Sequence, residues 1–258
     1  MPSFAQGHAE ALLIRVGGVS LKLRNMDAAL WERARRRYAA FETEEGTGFP
    51  VVITQGIGVR LPRSTGAFCY EVAGASLQLG RTRAVVTGVH NEYALDSVLR
   101  VLLTRLLLPT PGFLLHAATV VQDGKAYVFM GRSGAGKSTV ASLSPPGSVL
   151  TDEISLLRRI EGTWYAHGTP FWGEFRAAGQ NRRVPLERVY ALAQAVSNRT
   201  EGLAARPALA GLLGNTLFFS AGRQERELLL RAQMSLIESV PVQRLEFRSD
   251  ETFWEVAA

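Results

Sequence analysis

Between residues 11 and 24 apolar positions alternate with polar ones: Leu12, Ile14 and Val16, then Val19, Leu21 and Leu23, on either side of Gly17-Gly18. A period of two interrupted by paired glycines predicts a β-hairpin. The spacing becomes helical from Asp27 to Phe41, and Thr43 to Gly48 is a polar loop. Val51 to Thr54, Gly58 to Leu61, Phe68 to Val72, Ser76 to Leu79 and Arg83 to Thr87 are short strand-like runs separated by glycine-containing turns. Together these elements predict a small α+β module with no motif tied to chemistry.

From Glu92 to Leu108, leucine or valine stands at 95, 98, 99, 102, 103, 106 and 107, a stripe of helical period with Asn91 placed to cap it. Pro109 and Pro111 stop this helix. It marks the boundary between an accessory module, 1–90, expected to dock a substrate, and a second domain, 91–258.

The 258 residues are 47% hydrophobic and 20% charged, which suits one large domain or two unequal ones. The single Cys69 excludes a disulfide scaffold and points to a reducing, cytoplasmic setting. No apolar run approaches the ~20 residues of a bilayer span, so no membrane segment is expected. The N-terminus also lacks the basic patch and apolar core of a signal peptide. The net charge of +6 is carried mostly by arginine, because lysine occurs only at 22, 125 and 137. Arg33, Arg35, Arg36 and Arg37 read as a solvated helix face. A modest positive excess without a recognition motif does not indicate a nucleic-acid partner.

Gly131-Arg-Ser-Gly-Ala-Gly136-Lys137-Ser138 matches G-x-x-x-x-G-K-[ST], the phosphate-binding loop. In such a loop glycines let backbone N–H groups curl around phosphates, the lysine reaches the β and γ oxygens, and the serine hydroxyl ligates Mg²⁺. Ala126 to Met130 reads as the entering strand, and Lys137 to Leu143 as the helix whose N-terminus faces the anion. The candidate nucleotide-binding residues are Gly131, Ser133, Gly134, Ala135, Gly136, Lys137, Ser138 and Thr139. No lysine follows an asparagine, which excludes guanine specificity of the Asn-Lys-x-Asp type.

Turn chemistry predicts what surrounds the loop. Asp123-Gly124 is a two-residue hairpin signal, and opposed positions then sum to 247, which sets His116 across from Gly131 as a phosphate ligand or proton relay. A second hairpin centred on Glu161-Gly162 makes opposed positions sum to 323, bringing Thr169-Pro170-Phe171 beside Asp152 and Glu153. The segment from His167 to Glu174 would build the other wall. Adjacent strand residues point to opposite faces, so Asp152 and Glu153 both face a metal only if the strand ends there. One is expected to serve Mg²⁺ and the other the acceptor hydroxyl. The catalytic candidates are His116, Lys137, Asp152 and Glu153; the metal-ligand candidates are Ser138, Asp152 and Glu174. Arg176, Arg182 and Arg183 read as surface.

His116-Ala117, the hairpin, Gly131 to Thr139, Asp152-Glu153 and His167-Gly-Thr-Pro-Phe-Trp-Gly-Glu174 together resemble the HPr kinase/phosphorylase-related serine kinases. That family shares a phosphate-loop core with ATP-dependent phosphoenolpyruvate carboxykinases. Val240 to Arg248 and Phe253-Trp254-Glu255 are similar to members that accompany lasso-peptide biosynthesis. The resemblance implies an α/β fold with a mixed-sheet phosphate-loop core, ATP and Mg²⁺ as cofactors, and a serine hydroxyl as acceptor. It also implies His116, Lys137, Ser138, Asp152 and Glu153 as site positions. HPr kinases proper carry two aspartates where this chain has Asp152-Glu153, which points away from HPr as the substrate. The expectation is an ATP-dependent serine kinase acting on a peptide or small protein, such as a biosynthetic precursor peptide. Its rivals are a small-molecule hydroxyl kinase using the same site and a non-catalytic ATP-sensing module. A homo-oligomer is compatible with each.

Overall fold

The computed structural model describes residues 11–54, 68–173, 179–220 and 222–257. The chain divides into two compact units, residues 1–103 and 104–258.

In the first unit, β1 (Leu12–Val16) and β2 (Val19–Arg24) form the hairpin, paired antiparallel from Leu12↔Leu23 to Val16↔Val19. Gly17 and Gly18 take φ of 58° and 82°, the two positive angles that a tight turn matching strand twist requires. α1 (Ala28–Tyr38) begins where Asp27 Oδ1 accepts the Leu30 N–H at 2.7 Å, and a short 3-10 turn, Ala39–Phe41, extends it. β3 (Phe49–Thr54), β4 (Phe68–Val72), β5 (Ala75–Leu79) and β6 (Ala84–Thr87) complete a sheet of order β1-β2-β3-β6-β5-β4. The β2–β3 and β3–β6 pairs are parallel and the rest antiparallel. The expected strand from Gly58 to Leu61 lies outside the described residues. α2 (Glu92–Leu107) is capped by Asn91, whose Oδ1 accepts the Ala94 N–H at 2.8 Å, and the division between the units falls within it.

The arginine cluster of α1 is only partly solvated, contrary to the sequence reading. Arg37 Nε and the Tyr38 hydroxyl each donate to the Asp96 carboxylate at 2.7 Å, and Arg33 pairs with Glu92 at 3.1 Å. Polar side chains of α1 thus grip the first turns of α2. Burial pushes the Asp96 carboxyl above its usual range even with Arg37 beside it.

In the second unit, β7 (Gly112–Gln122) and β8 (Lys125–Met130) pair from Gln122↔Lys125 to Ala117↔Met130, turning at Asp123 and Gly124. α3 (Lys137–Leu143) follows, then β9 (Val149–Thr151), β10 (Ile154–Ile160), β11 (Thr163–His167) and β12 (Arg183–Gln194). β13 (Arg199–Gly202), α4 (Ala205–Asn215), β14 (Thr216–Leu217), α5 (Arg223–Ser239), β15 (Val242–Phe247) and α6 (Trp254–Ala257) complete it. The strands form one sheet ordered β11-β10-β7-β8-β12-β15-β13, with β9 and β14 also on β7. β12 runs parallel to both β8 and β15. β11 also pairs with the start of β12, so the sheet folds back on itself.

Two apolar clusters hold this unit together. Phe113, Leu115, Val128, Met130 and Trp164 pack with Leu212 of α4 and with Leu229 and Leu236 of α5. Phe129, Tyr190, Leu245 and Phe247 pack with Val140 of α3 and Phe253. Each fully buried leucine or phenylalanine contributes about 2 kcal/mol. The protein is therefore α/β with two mixed sheets. Among the described residues no helix is long and apolar enough to cross a membrane.

Candidate functional site

Six residues connect β8 to α3, and two of their glycines are there for space. A Cβ on Gly131 would stand 2.7 Å from that of Ala135, and one on Gly136, where φ is +107°, would stand 2.4 Å from the Phe247 ring. Lys137 Nζ turns back on the loop, donating to the carbonyls of Gly131 at 2.8 Å and Arg132 at 3.2 Å. Gln194 Nε2 donates to the Gly134 carbonyl at 2.9 Å, tying the loop to the end of β12. Burial lowers the Lys137 ammonium below its ordinary pKa, and the Glu153 carboxylate pulls it the other way.

The acidic pair owes its arrangement to a short strand. β9 stops at Thr151, so Asp152 and Glu153 occupy a bend where strand alternation no longer applies, and both line one cavity. The bend is held from several sides. The Ile154 carbonyl accepts the Thr169 hydroxyl at 2.6 Å and the Thr151 hydroxyl at 3.1 Å. Ala117 N–H donates to the Glu153 carbonyl at 3.0 Å. Gly173 N–H donates to both Asp152 carboxylate oxygens, at 3.1 and 3.2 Å. A Cβ on Gly173 would lie 3.2 Å from that of Glu153 and 3.3 Å from Asp152 Oδ2.

The cavity has a volume of about 640 Å³. Of the candidate nucleotide-binding residues, Ser133, Gly134, Gly136, Lys137, Ser138 and Thr139 line it, while Gly131 and Ala135 shape the loop without lining the space. His116, Asp152 and Glu153 line it too. Glu174 and Arg176 lie outside the described residues. Gly173 and Gln194 also line the cavity, and sequence reasoning did not single them out. Gly173 belongs to the segment from His167 to Glu174 that is expected to build a wall; Gln194 carries no local signal, because only the parallel pairing of β12 with β8 brings it there.

The β7–β8 ladder keeps the expected register but ends at Ala117↔Met130. His116 pairs instead with Ile154, because β7 exchanges β8 for β10 at that point. The second hairpin runs from Ile160↔Thr163 to Leu156↔His167, also as expected. His167 itself is buried away from the cavity, and its Nε2 has no hydrogen-bond partner among the described residues. Burial, together with the Arg158 and Arg183 guanidiniums, pushes its pKa down to about 4. Arg183 is exposed, as expected, and packs its guanidinium over the Tyr165 ring at 5.1 Å.

Among the described residues no group of three or more His, Cys, Asp or Glu side chains could hold a metal ion. The Ser138 hydroxyl with two carboxylates is instead an oxygen donor set that suits a hard cation completed by phosphate and water.

The family model described as SynChlorMet cassette protein ScmC matches residues 93–257, more than half of the chain. No curated protein matches. Among solved structures, the chain is similar to the Hpr(Ser) kinase/phosphatase from Coxiella burnetii, at 14% identity over 48% of this chain and 89% of that one. The TM-score of 0.26 is too low for that likeness to carry an inference.

Proposed function

This chain belongs to the ScmC family of SynChlorMet cassette proteins, and we propose that it is an ATP-dependent kinase of the HPr-kinase-related type. In this reading it transfers the γ-phosphate to a serine hydroxyl of a peptide or small protein. The observation that carries the reading is that Lys137, Ser138, Asp152, Glu153 and His116, drawn from the first turn of α3, a bend and a strand, line one cavity.

Phosphoryl transfer is mostly positioning and charge stabilisation, and the chain's own residues are suited to both. Backbone N–H groups of Ser133, Gly134, Gly136, Lys137 and Ser138 and the Lys137 ammonium take up phosphate charge, the ammonium leaving the carbonyls of Gly131 and Arg132 to do so. Mg²⁺, when bound, would neutralise the phosphates, held by Ser138 Oγ and Asp152. The Gly173 N–H, donated to both oxygens of Asp152, fixes that carboxylate in one orientation. Glu153 then accepts the proton of the acceptor serine. His116 positions the acceptor against the phosphate from the same wall.

The test is phosphotransfer from Mg²⁺-ATP to serine peptides encoded beside the gene. Wild type should add one phosphate and Lys137→Ala none; transfer by Asp152→Ala at the wild-type rate would refute the mechanism.

A further inference from the structure

We propose that the loop 195–198, which follows β12, is the wall against which the base of the bound nucleotide rests, with Val196 as its apolar contact. The inference rests on the kinase reading of the cavity and adds the nucleoside end to it.

Topology gives the direction. β8, β12 and β15 are parallel neighbours, so their C-terminal ends open on one edge of the sheet, the edge where ligands of α/β sheets sit. The phosphate loop follows β8. Asp152 and Glu153 lie on the other side of β8 from β12, because the strands flanking them, β9 and β10, both pair with β7. A triphosphate in the loop with its γ end at the carboxylates therefore extends its nucleoside towards β12.

Two residues beyond Gln194, the chain presents one exposed apolar side chain, Val196. Gln194 lines the cavity and holds the loop carbonyl of Gly134. Ala195 N–H donates to the Phe247 carbonyl at 3.0 Å. The Asn198 side chain accepts the Arg248 N–H and donates to Thr252 Oγ1, both at 2.7 Å. The loops after β12 and β15 are thus tied to each other on both sides of Val196. Val196 is 91% exposed, the most exposed large apolar side chain among the described residues. A loop already pinned loses little freedom when a ligand covers it, and a purine face covering a valine removes apolar surface from water. Gln194 supplies the polar contact beside it.

Inorganic tripolyphosphate separates the two halves of the site, because it has the phosphates of ATP and no base. Calorimetric titration with Mg²⁺ and either tripolyphosphate or the imido analogue of ATP is expected to show wild type preferring the nucleotide. Val196→Asn should weaken the nucleotide by about fivefold, the loss of one modest apolar contact, and leave tripolyphosphate within about twofold. Val196→Trp should report the nucleotide, and not tripolyphosphate, as a change in indole emission absent from wild type. Equal weakening of both ligands, no weakening of either, or a Val196→Trp signal with tripolyphosphate would overturn the proposal alone. Failure of wild type to bind either ligand, or undiminished binding of both by Lys137→Ala, would remove the kinase reading as well.

Discussion

At Gly173 the backbone N–H is shared between the two oxygens of Asp152, and the surrounding carboxylates leave no comfortable space for a methyl group. Gly173→Ala is therefore expected to lower phosphotransfer by about tenfold or more, since small displacements of reacting groups are costly, while the melting temperature stays close to wild type. Thr169 acts one step further back, through the Ile154 carbonyl that closes the same bend. Thr169→Val should cost about 1 kcal/mol in urea unfolding and slow transfer, and Thr169→Ser, which keeps the hydroxyl, should restore both. These contacts mark the limit of what single residues reveal in a sequence. The eight-position loop was legible because its residue types are dictated by phosphate chemistry. That Asp152 and Glu153 share one cavity was not, because it depends on β9 ending after three residues.

Elements defined by local chemistry were the easiest to read. The turns at Gly17-Gly18, Asp123-Gly124 and Glu161-Gly162 all have two successive residues at positive φ, and each hairpin keeps the register its turn implies. Asp27 and Asn91 cap the helices that follow them. The parallel placement of β12 between β8 and β15 joins residues far apart in sequence through side chains that carry no pairing code, so neither it nor Gln194 was legible. The α1–α2 clamp escaped notice for a similar reason: an arginine run looks alike whether solvated or paired with Asp96. Arg37→Ala would strip that buried carboxylate of its paired guanidinium while leaving it the Tyr38 hydroxyl, and a loss of about 3 kcal/mol is expected in the urea transition of the first unit.

For the whole molecule, stability should depend on pH through His167. Its pKa in the folded protein, about 4, lies below the ordinary 6.5, so between those values the unfolded chain binds the extra proton. The contribution is intact above about pH 6.5 and is lost as pH falls towards 4, by about 3 kcal/mol in all. His167→Gln should shrink the fall in unfolding free energy across that window, and an unchanged profile would remove His167 as its cause. The composition also has a molecular consequence: with lysine only at 22, 125 and 137, Lys137 is the lysine in the phosphate loop, and its loss has no lysine substitute there. The most direct measurement of the central claim is mass-spectrometric detection of phosphate on serine peptides encoded beside the gene, incubated with Mg²⁺-ATP and either wild type or Lys137→Ala. The expected result is one added phosphate on serine with wild type and none with Lys137→Ala; ATP bound tightly by wild type with no phosphate on any acceptor would contradict it.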